Sequence, residues 1–444
     1  MARMSEAGYD TVREWLWKGD KVRGAWAAGT LLKAEPGDLH ALALCGWALL
    51  ELDRKQEGGR ALRSCAEAAA ERGDLPLALS CMFALSEAGE AVGDLLESIV
   101  RDYHRGSTRV DPALHLAPPL PRELPEVPAR AEAGEALALV ERAIRAAQDR
   151  LAFERSMEVE KPALPAIPLL GTLSADNLRH VLSAAEAVRI APGELLVEQG
   201  TEGDAVYLVL CGSAQVVRQS RAGEEQVLRR VGPGGVVGEV ALVTRAGRVA
   251  SVRSETGLMA LRLARDVIEA IAAGESSLAD ELVEFCRQRM IANLLETSPL
   301  FAGWGEAERA QVLEAFDRRM LRAGDEPVAQ GKPSPGLFLI VAGKAEVLRH
   351  EGKGKKGQLV RLAELGPADV FGEMSLVVER AATATVRMVY DSAVLTLPRG
   401  RFLRVAEAHP ELLEELRRVA REREEETRSL LGQPSTAADD LTIV

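Results

Sequence analysis

The sequence of 444 residues is 47% hydrophobic and 27% charged, a composition typical of folded proteins with several domains. Its formal net charge of −12, with no long basic run, argues against binding nucleic acid by phosphate neutralisation. No apolar stretch is long enough to cross a bilayer, and the charged N-terminus lacks a signal-peptide core, so we expect a cytoplasmic protein without a membrane partner. Arginine outnumbers lysine and alanine is abundant, which indicates a bacterial source.

The five cysteines are scattered along the chain, without a C-x-x-C pair or a cluster of histidines. They are Cys45, Cys65, Cys81, Cys211 and Cys286. Each lies in an apolar helical or strand pattern, which favours buried, reduced thiols. The sequence therefore predicts no metal site and no cofactor.

Residues 1–106 show the apolar period of helices and almost no alternating strand pattern. Several residues recur 34 positions later, namely Leu16 and Leu50, Lys21 and Lys55, Gly24 and Gly58, and Ala27 and Ala61. A 34-residue period with small residues at the helix crossings resembles the tetratricopeptide repeat. That resemblance implies stacked helix pairs whose groove holds a protein partner. An irregular helical bundle with a chance offset is the alternative.

Residues 107–164 connect this helical region to the rest of the chain. Six prolines favour an extended spacer in the first half: Pro112, Pro118, Pro119, Pro121, Pro125 and Pro128. Residues 131–157 then follow the pattern of one long amphipathic helix. Such a helix either docks on a neighbouring domain or pairs with its twin in a homodimer, and the sequence leaves both open.

Residues 165–431 change to short alternating strands separated by Gly, Pro and Asp turns, and the whole pattern occurs twice. Gly200 corresponds to Gly331, 131 residues later, and Gly238 corresponds to Gly372, 134 residues later. Each copy contains about eight strands between helices. The sequence therefore predicts two jelly-roll-type β-barrels with flanking helices.

The predicted fold class is multidomain α+β, with a tetratricopeptide-like helical repeat followed by the two barrels. The barrels are expected over residues 165–296 and 297–431. Residues 432–444 are predicted to form a disordered tail, with docking of the free C-terminus on a partner as the alternative.

The first barrel contains Gly238 and Glu239, then Ala241 and Leu242, with Arg248 nine residues after the glutamate. This segment resembles the phosphate-binding cassette of the cyclic-nucleotide-binding domain family, which both barrels resemble. The resemblance implies that backbone amides at the glycine turn meet the phosphate, that Glu239 accepts from the ribose 2′-hydroxyl, and that Arg248 binds phosphate oxygens. A Glu–Arg pair on the protein surface is the alternative.

The second barrel contains Gly372, Glu373 and Ser375 at the matching positions of the cassette. Nine residues after the glutamate stands Ala382, and Arg380 lies two residues early. If the loop is shortened, Arg380 reaches the phosphate and this barrel also binds nucleotide. Otherwise the barrel is a structural or dimerising partner of the first one.

Base preference rests on the residue directly after the cassette arginine. In the family, Ser or Thr there favours guanine, whereas Val249 cannot hydrogen-bond a base. The resemblance therefore favours cAMP over cGMP as the ligand.

Motifs of other functional classes are missing from the sequence. After Pro398 there is one charged helix and the tail, so no helix-turn-helix follows the second barrel. No P-loop, nucleophile elbow, zincin pair or kinase signature is present, which argues against an enzyme.

We therefore expect a non-enzymatic cyclic-nucleotide sensor or adaptor that couples ligand binding in the first barrel to protein–protein interaction. The order of an interaction module, a linker and two barrels resembles the regulatory subunit of cyclic-nucleotide-dependent kinases, although the N-terminal part does not match that family. The alternatives are a constitutive scaffold with barrels that no longer bind nucleotide, and a sensor of another small anion such as a cyclic dinucleotide.

Overall fold

The computed structural model describes most of the chain. The described residues are 7–118, 122–128, 131–157, 161–219, 225–239, 248, 250–274, 312–351, 358–378 and 380–430, with single residues between 291 and 308. The chain divides into two compact units. The first contains Met1–Gln199, Asp204–Gly238 and Ala250–Leu282, and the second contains Gly200–Gly203, Glu239–Val249 and Val283–Val444.

Six helices form the described part of the N-terminal region, from residue 7 onward, which confirms the helical character predicted there. They are α1 (Ala7–Trp17), α2 (Lys21–Ala34), α3 (Leu39–Glu51), α4 (Lys55–Arg72), α5 (Leu75–Glu87) and α6 (Gly93–Tyr103). The carboxylate of Asp38 caps α3 by accepting from the Ala41 amide, and Asp74 caps α5 in the same way. Consecutive helices pack against each other from α1 to α5. Assignment to the tetratricopeptide family remains a prediction.

The 34-residue correspondence reflects a repeated contact between helices. A Cβ on Gly24 of α2 would lie 2.5 Å from the Cδ2 atom of Leu16 of α1. Likewise, a Cβ on Gly58 of α4 would lie 3.0 Å from the Cδ2 atom of Leu50 of α3. In both pairs a leucine packs directly over a glycine of the following helix, which allows the two backbones to approach closely.

Gly24→Ala is expected to lower the free energy of unfolding by about 1–3 kcal/mol, because the added methyl overpacks the buried Leu16 side chain. Gly134→Ala is the matched control, since a Cβ there meets nothing within 4 Å. That control should be neutral or stabilise by up to about 1 kcal/mol. Urea unfolding followed by circular dichroism measures the stability of both variants. Equal stability would contradict close packing of Leu16 on Gly24.

The described part of the proline-rich segment contains no helix, and it lies along the helical region instead of separating domains. The Gly8 amide donates to the carbonyl of Arg122 at 3.0 Å. The guanidinium of Arg122 donates to Asp38 at 3.2 Å and to Glu35 at 3.0 Å. A short parallel pair, β1 (Val110–Asp111) with β2 (Leu164–Pro165), joins the two ends of the connector.

The long helix of the connector, α7 (Ala133–Ser156), packs along α2 and also contacts α3 and α4. Its buried face consists of Ala136, Leu139, Val140, Ala143, Ile144, Ala147 and Leu151. Ion pairs from Arg72 to Glu154 and from Arg155 to Glu67 flank this face. Of the two alternatives left by the sequence, this helix therefore docks on a neighbour within the chain, while a homodimer remains a prediction.

The first barrel follows the helix α8 (Ala175–Ala184) and ends in α9 (Arg265–Gly274). Its strands are β3 (Glu186–Ile190), β4 (Leu195–Val197), β5 (Ala205–Cys211), β6 (Ala214–Gln219), β7 (Glu225–Val231), β8 (Val236–Val237), β9 (Ser251–Ser254) and β10 (Leu258–Ala264). They form two antiparallel sheets, ordered β3-β10-β5-β8 and β4-β9-β6-β7.

The helical region packs directly against this barrel, within the first unit. All seven residues of β5 are buried, because one face lines the barrel and the other packs on α5. Arg189 pairs with Glu87 at 2.7 Å, and Arg179 pairs with Glu97 at 2.6 Å. A Cβ on Gly257, in the β9–β10 turn, would lie 2.9 Å from the Trp17 ring.

The second barrel repeats the arrangement, which confirms the predicted pair of antiparallel barrels with flanking helices. Its elements are β11 (Asp317–Leu321), β12 (Gly336–Ala342), β13 (Ala345–Glu351), β14 (Gln358–Leu365), β15 (Val370–Phe371), α10 (Glu373–Val377), β16 (Thr385–Met388), β17 (Ser392–Pro398), α11 (Arg399–Ala408) and α12 (Pro410–Leu430). The sheets are ordered β11-β17-β12-β15 and β14-β13-β16. Helices α10 and α11 pack against β12.

The four described cysteines are buried and form no disulfide, whereas Cys286 lies outside the described residues. Burial raises the pKa of the Cys45 and Cys211 thiols above the usual range, which keeps them protonated at neutral pH. Among the described helices, none is long and apolar enough to cross a membrane.

Candidate ligand-binding site

The two cassettes begin at structurally equivalent glycines. Gly238 follows β8 and Gly372 follows β15, and both have a φ of +85°. This left-handed conformation favours glycine because it lacks a Cβ. A Cβ on Gly372 would also lie 2.5 Å from the Gly336 carbonyl oxygen. The conformation of these glycines thus accounts for their recurrence in the two cassettes.

Both charged residues of the first cassette are buried. Glu239 is 3% exposed and Arg248 is 8% exposed, so they do not form the surface pair that the sequence had left open. Charged side chains are rarely this buried unless they have partners of opposite charge or hydrogen bonds. Two further predicted site residues, Ala241 and Val249, lie outside the described residues.

The backbone of Arg248 is fixed by a corner of the chain that follows β4. The Gly200 amide donates to the Arg248 carbonyl at 2.8 Å, and the Arg248 amide donates to the Thr201 carbonyl at 2.7 Å. These two bonds define one position in the barrel that can be compared with its counterpart in the second barrel.

In the second barrel the same backbone bonds are made by Ala382. The Gly331 amide donates to the Ala382 carbonyl at 2.8 Å, and the Ala382 amide donates to the Lys332 carbonyl at 2.9 Å. Ala382 therefore occupies the place that Arg248 takes in the first barrel. A methyl group stands where the first cassette has a guanidinium.

Arg380, the candidate phosphate ligand of the second barrel, is exposed. Its carbonyl accepts a hydrogen bond from the Ser375 hydroxyl at 2.6 Å, and that hydroxyl also accepts from the Ser334 amide at 2.9 Å. Within the described part of the chain, the Arg380 guanidinium makes no hydrogen bond or ion pair. Ser375 thus connects backbone groups of the second barrel.

Glu373 is 2% exposed and is paired with an arginine that the sequence analysis did not single out. Arg423 of α12 donates to its carboxylate at 2.8 Å and to the Val370 carbonyl at 2.5 Å. Burial opposes the charge of Arg423, but the carboxylates of Glu373 and Asp369 outweigh this effect and raise its pKa. The second cassette therefore has its carboxylate occupied by its own C-terminal helix.

The interior beside Ala382 is apolar. Phe338 and Phe371 stack with ring centroids 4.8 Å apart and an interplanar angle of 2°, and Ala382 belongs to the same buried cluster. The equivalent strand pair of the first barrel contains Tyr207 opposite Val237. Among the described residues, no group of three or more His, Cys, Asp or Glu side chains is arranged to hold a metal ion.

The model of the cyclic nucleotide-binding domain family matches the chain twice, over residues 187–275 and 318–409. Both matches fall on the barrels, and together they include both cassettes.

Several solved structures are similar to this chain. The regulatory domain of protein kinase A from Toxoplasma gondii, solved with cAMP, is 26% identical, and the match covers 56% of this chain and 90% of that one with a TM-score of 0.28. The regulatory subunit of a cAMP-independent protein kinase A from Trypanosoma brucei is 22% identical, with coverages of 58% and 88% and a TM-score of 0.29. The catabolite activator protein of Thermus thermophilus is 32% identical over 30% of this chain and 62% of that one, with a TM-score of 0.28.

Proposed function

We propose that this chain, which carries two tandem domains of the cyclic nucleotide-binding family, is a non-enzymatic sensor with a single ligand site in its first barrel. The observation that carries this proposal is the contrast between two equivalent positions, Arg248 and Ala382. Only the first provides a cation for the cyclic phosphate.

The chemistry of the first cassette suits a cyclic nucleotide. An arginine fork binds phosphate oxygens with charge-assisted hydrogen bonds, and Arg248 is the candidate for this role. A carboxylate accepts hydrogen bonds only, so Glu239 suits the 2′-hydroxyl of the ribose. Backbone amides after the turn at Gly238 would complete the anion site.

The second barrel is proposed to be a structural domain that binds no nucleotide. Ala382 offers no charge to a phosphate, and the Arg380 side chain is at the surface two residues away. The Glu373 carboxylate, the group that would accept from the ribose, is already paired with Arg423. An anion in this barrel would lose its hydration without gaining an ionic partner, which is unfavourable.

cAMP is the proposed ligand in preference to cGMP, because valine follows the cassette arginine at position 249. The aliphatic side chain offers no hydrogen bond to a guanine base. The proposed localisation is the cytoplasm, where a soluble second messenger would reach the barrel.

The readout is proposed to pass through the helical region, since it forms one compact unit with most of the first barrel. The β7–β8 turn lies four residues before Gly238, and a Cβ on its Gly234 would meet Leu116 of the connector at 2.9 Å and Pro76 of α5 at 3.8 Å. A movement that spreads from Gly238 to this turn is proposed to pass on to α5. The switch requires that nucleotide binds two arrangements with different affinity.

A protein partner is proposed to bind the helical region on surfaces that the chain itself leaves exposed. Helix α7 covers α2, and α5 packs against β5, so part of the predicted groove is filled within the chain. The partner surface is therefore smaller than a free repeat array would offer.

Calorimetric titration of the full-length protein with cAMP, and separately with cGMP, is expected to give one binding event per chain and tighter binding of cAMP. A stoichiometry of two would show that the second barrel binds despite Ala382. No heat and no thermal stabilisation by either nucleotide would favour the constitutive scaffold. Heat only with a cyclic dinucleotide would favour a sensor of that other small anion.

A further inference from the structure

Gln199 precedes the corner that holds the backbone of Arg248, and its own position is fixed by three hydrogen bonds. The backbone N–H of Gln199 donates to the Ser251 hydroxyl at 2.9 Å. The side-chain amide of Gln199 accepts from the backbone N–H of Gln219 at 2.8 Å and donates to the backbone carbonyl of Gln219 at 3.3 Å. One side chain therefore ties the end of β6 to the segment that follows β4.

The second barrel contains the same arrangement at Gln330. Its amide donates to the Thr385 hydroxyl at 3.1 Å. Its side chain accepts from the His350 amide at 2.7 Å and donates to the His350 carbonyl at 3.2 Å. The two glutamines are 131 residues apart, the same offset as Gly200 and Gly331.

In each barrel, the two residues that follow this glutamine hold the backbone of the residue at the arginine position. Gly200 and Thr201 exchange backbone bonds with Arg248, and Gly331 and Lys332 exchange them with Ala382. The frame is thus the same in both barrels, whereas the side chain that it positions differs.

We propose that Gln199 is a positioning residue for Arg248: it holds the corner at Gly200 and Thr201 and thereby sets where the guanidinium meets the phosphate. This inference rests on the proposed nucleotide site of the first barrel. Displacement of a binding group by even a fraction of an ångström weakens charge-assisted hydrogen bonds, which depend on distance and angle. Gln330 does the same for Ala382, where the position of a methyl group has no effect on binding.

Gln199→Met removes both side-chain hydrogen bonds and keeps nearly the same volume, and Gln330→Met is its matched control. In the full-length protein, Q199M is expected to weaken cAMP binding roughly fivefold, because it removes two hydrogen bonds of ordinary strength that hold the corner. Q330M should leave the affinity at the wild-type value, although both variants lose equivalent bonds. Equal affinity of Q199M and Q330M would overturn the proposal.

Hydrogen–deuterium exchange of the ligand-free protein gives a second readout that does not require nucleotide. Q199M should speed exchange of the Arg248 amide, which donates to Thr201, and Q330M should instead speed exchange of the Ala382 amide. Unchanged protection of Arg248 in Q199M would refute the positioning role. If the wild-type protein binds no cyclic nucleotide but the exchange result holds, the proposed function fails and the positioning of Arg248 stands.

Discussion

Replacing Arg248 by alanine is expected to weaken cAMP binding by more than tenfold. A hydrogen bond to a charged group contributes about 1.5–3 kcal/mol, and about 1.4 kcal/mol corresponds to a factor of ten in affinity. Arg248 is 8% exposed, so water replaces its contribution poorly. Calorimetry on the full-length variant measures the loss, and the thermal stabilisation by cAMP should disappear with it.

Arg380→Ala is the control for this experiment, since the sequence alone makes both arginines candidates for the phosphate. Its side chain is exposed, so the variant should bind cAMP with wild-type affinity and a stoichiometry of one. If Arg380→Ala instead removes a binding event, the second barrel is a nucleotide site and the equivalence of Arg248 with Ala382 does not decide binding.

The order of the domains could be predicted because each architecture leaves a periodic trace in the sequence. The glycines at 238 and 372 recur because both adopt a φ of +85°, which other residues rarely tolerate. The 34-residue correspondence of Gly24 with Gly58 reflects leucines that pack over them from the preceding helices. Such positions are constrained by backbone geometry, so they identify a fold without knowledge of its contacts.

The choice between Arg380 and Ala382 could not be made from the sequence, because it depends on the length of a loop. Spacing alone allows either residue to begin the strand. The backbone bonds of Ala382 with Gly331 and Lys332 set the register and leave Arg380 outside it. A residue's position along the chain does not give its place in a barrel until the pairing is known.

Arg423, the partner of Glu373, could not be recognised from the sequence either. It lies in α12, a helix so rich in charged residues that it resembles a solvated surface helix. The apolar residues Leu412, Leu416 and Ala420 are buried at helical spacing, and Arg423 continues the same face of α12. The phase of these residues was therefore a signal that Arg423 points inward. Only the structure shows that the cassette of the second barrel lies opposite this face.

Arg423→Ala is expected to lower the free energy of unfolding of the second barrel by about 3–5 kcal/mol, because it leaves the Glu373 carboxylate buried without a cation. The Val370 carbonyl would lose a donor as well. Urea unfolding, with hydrogen–deuterium exchange to locate the change in the second barrel, measures this loss. Arg421→Ala on the exposed face of α12 is the matched control and should change stability by less than about 0.5 kcal/mol.

A second substitution separates the loss of the ion pair from the loss of side-chain packing. Glu373→Gln in the Arg423→Ala background removes the unpaired charge, so it should recover a large part of the stability, because a buried amide costs less than a buried carboxylate. The wild type, the two single variants and the double variant form a double-mutant cycle. Its coupling energy measures the interaction between the Glu373 and Arg423 side chains. A coupling near zero would mean that α12 is held by its apolar residues alone. A large coupling energy, with the cAMP affinity of the first barrel unchanged, would show that the pair of Arg423 with Glu373 gives the second cassette a structural role in place of ligand binding.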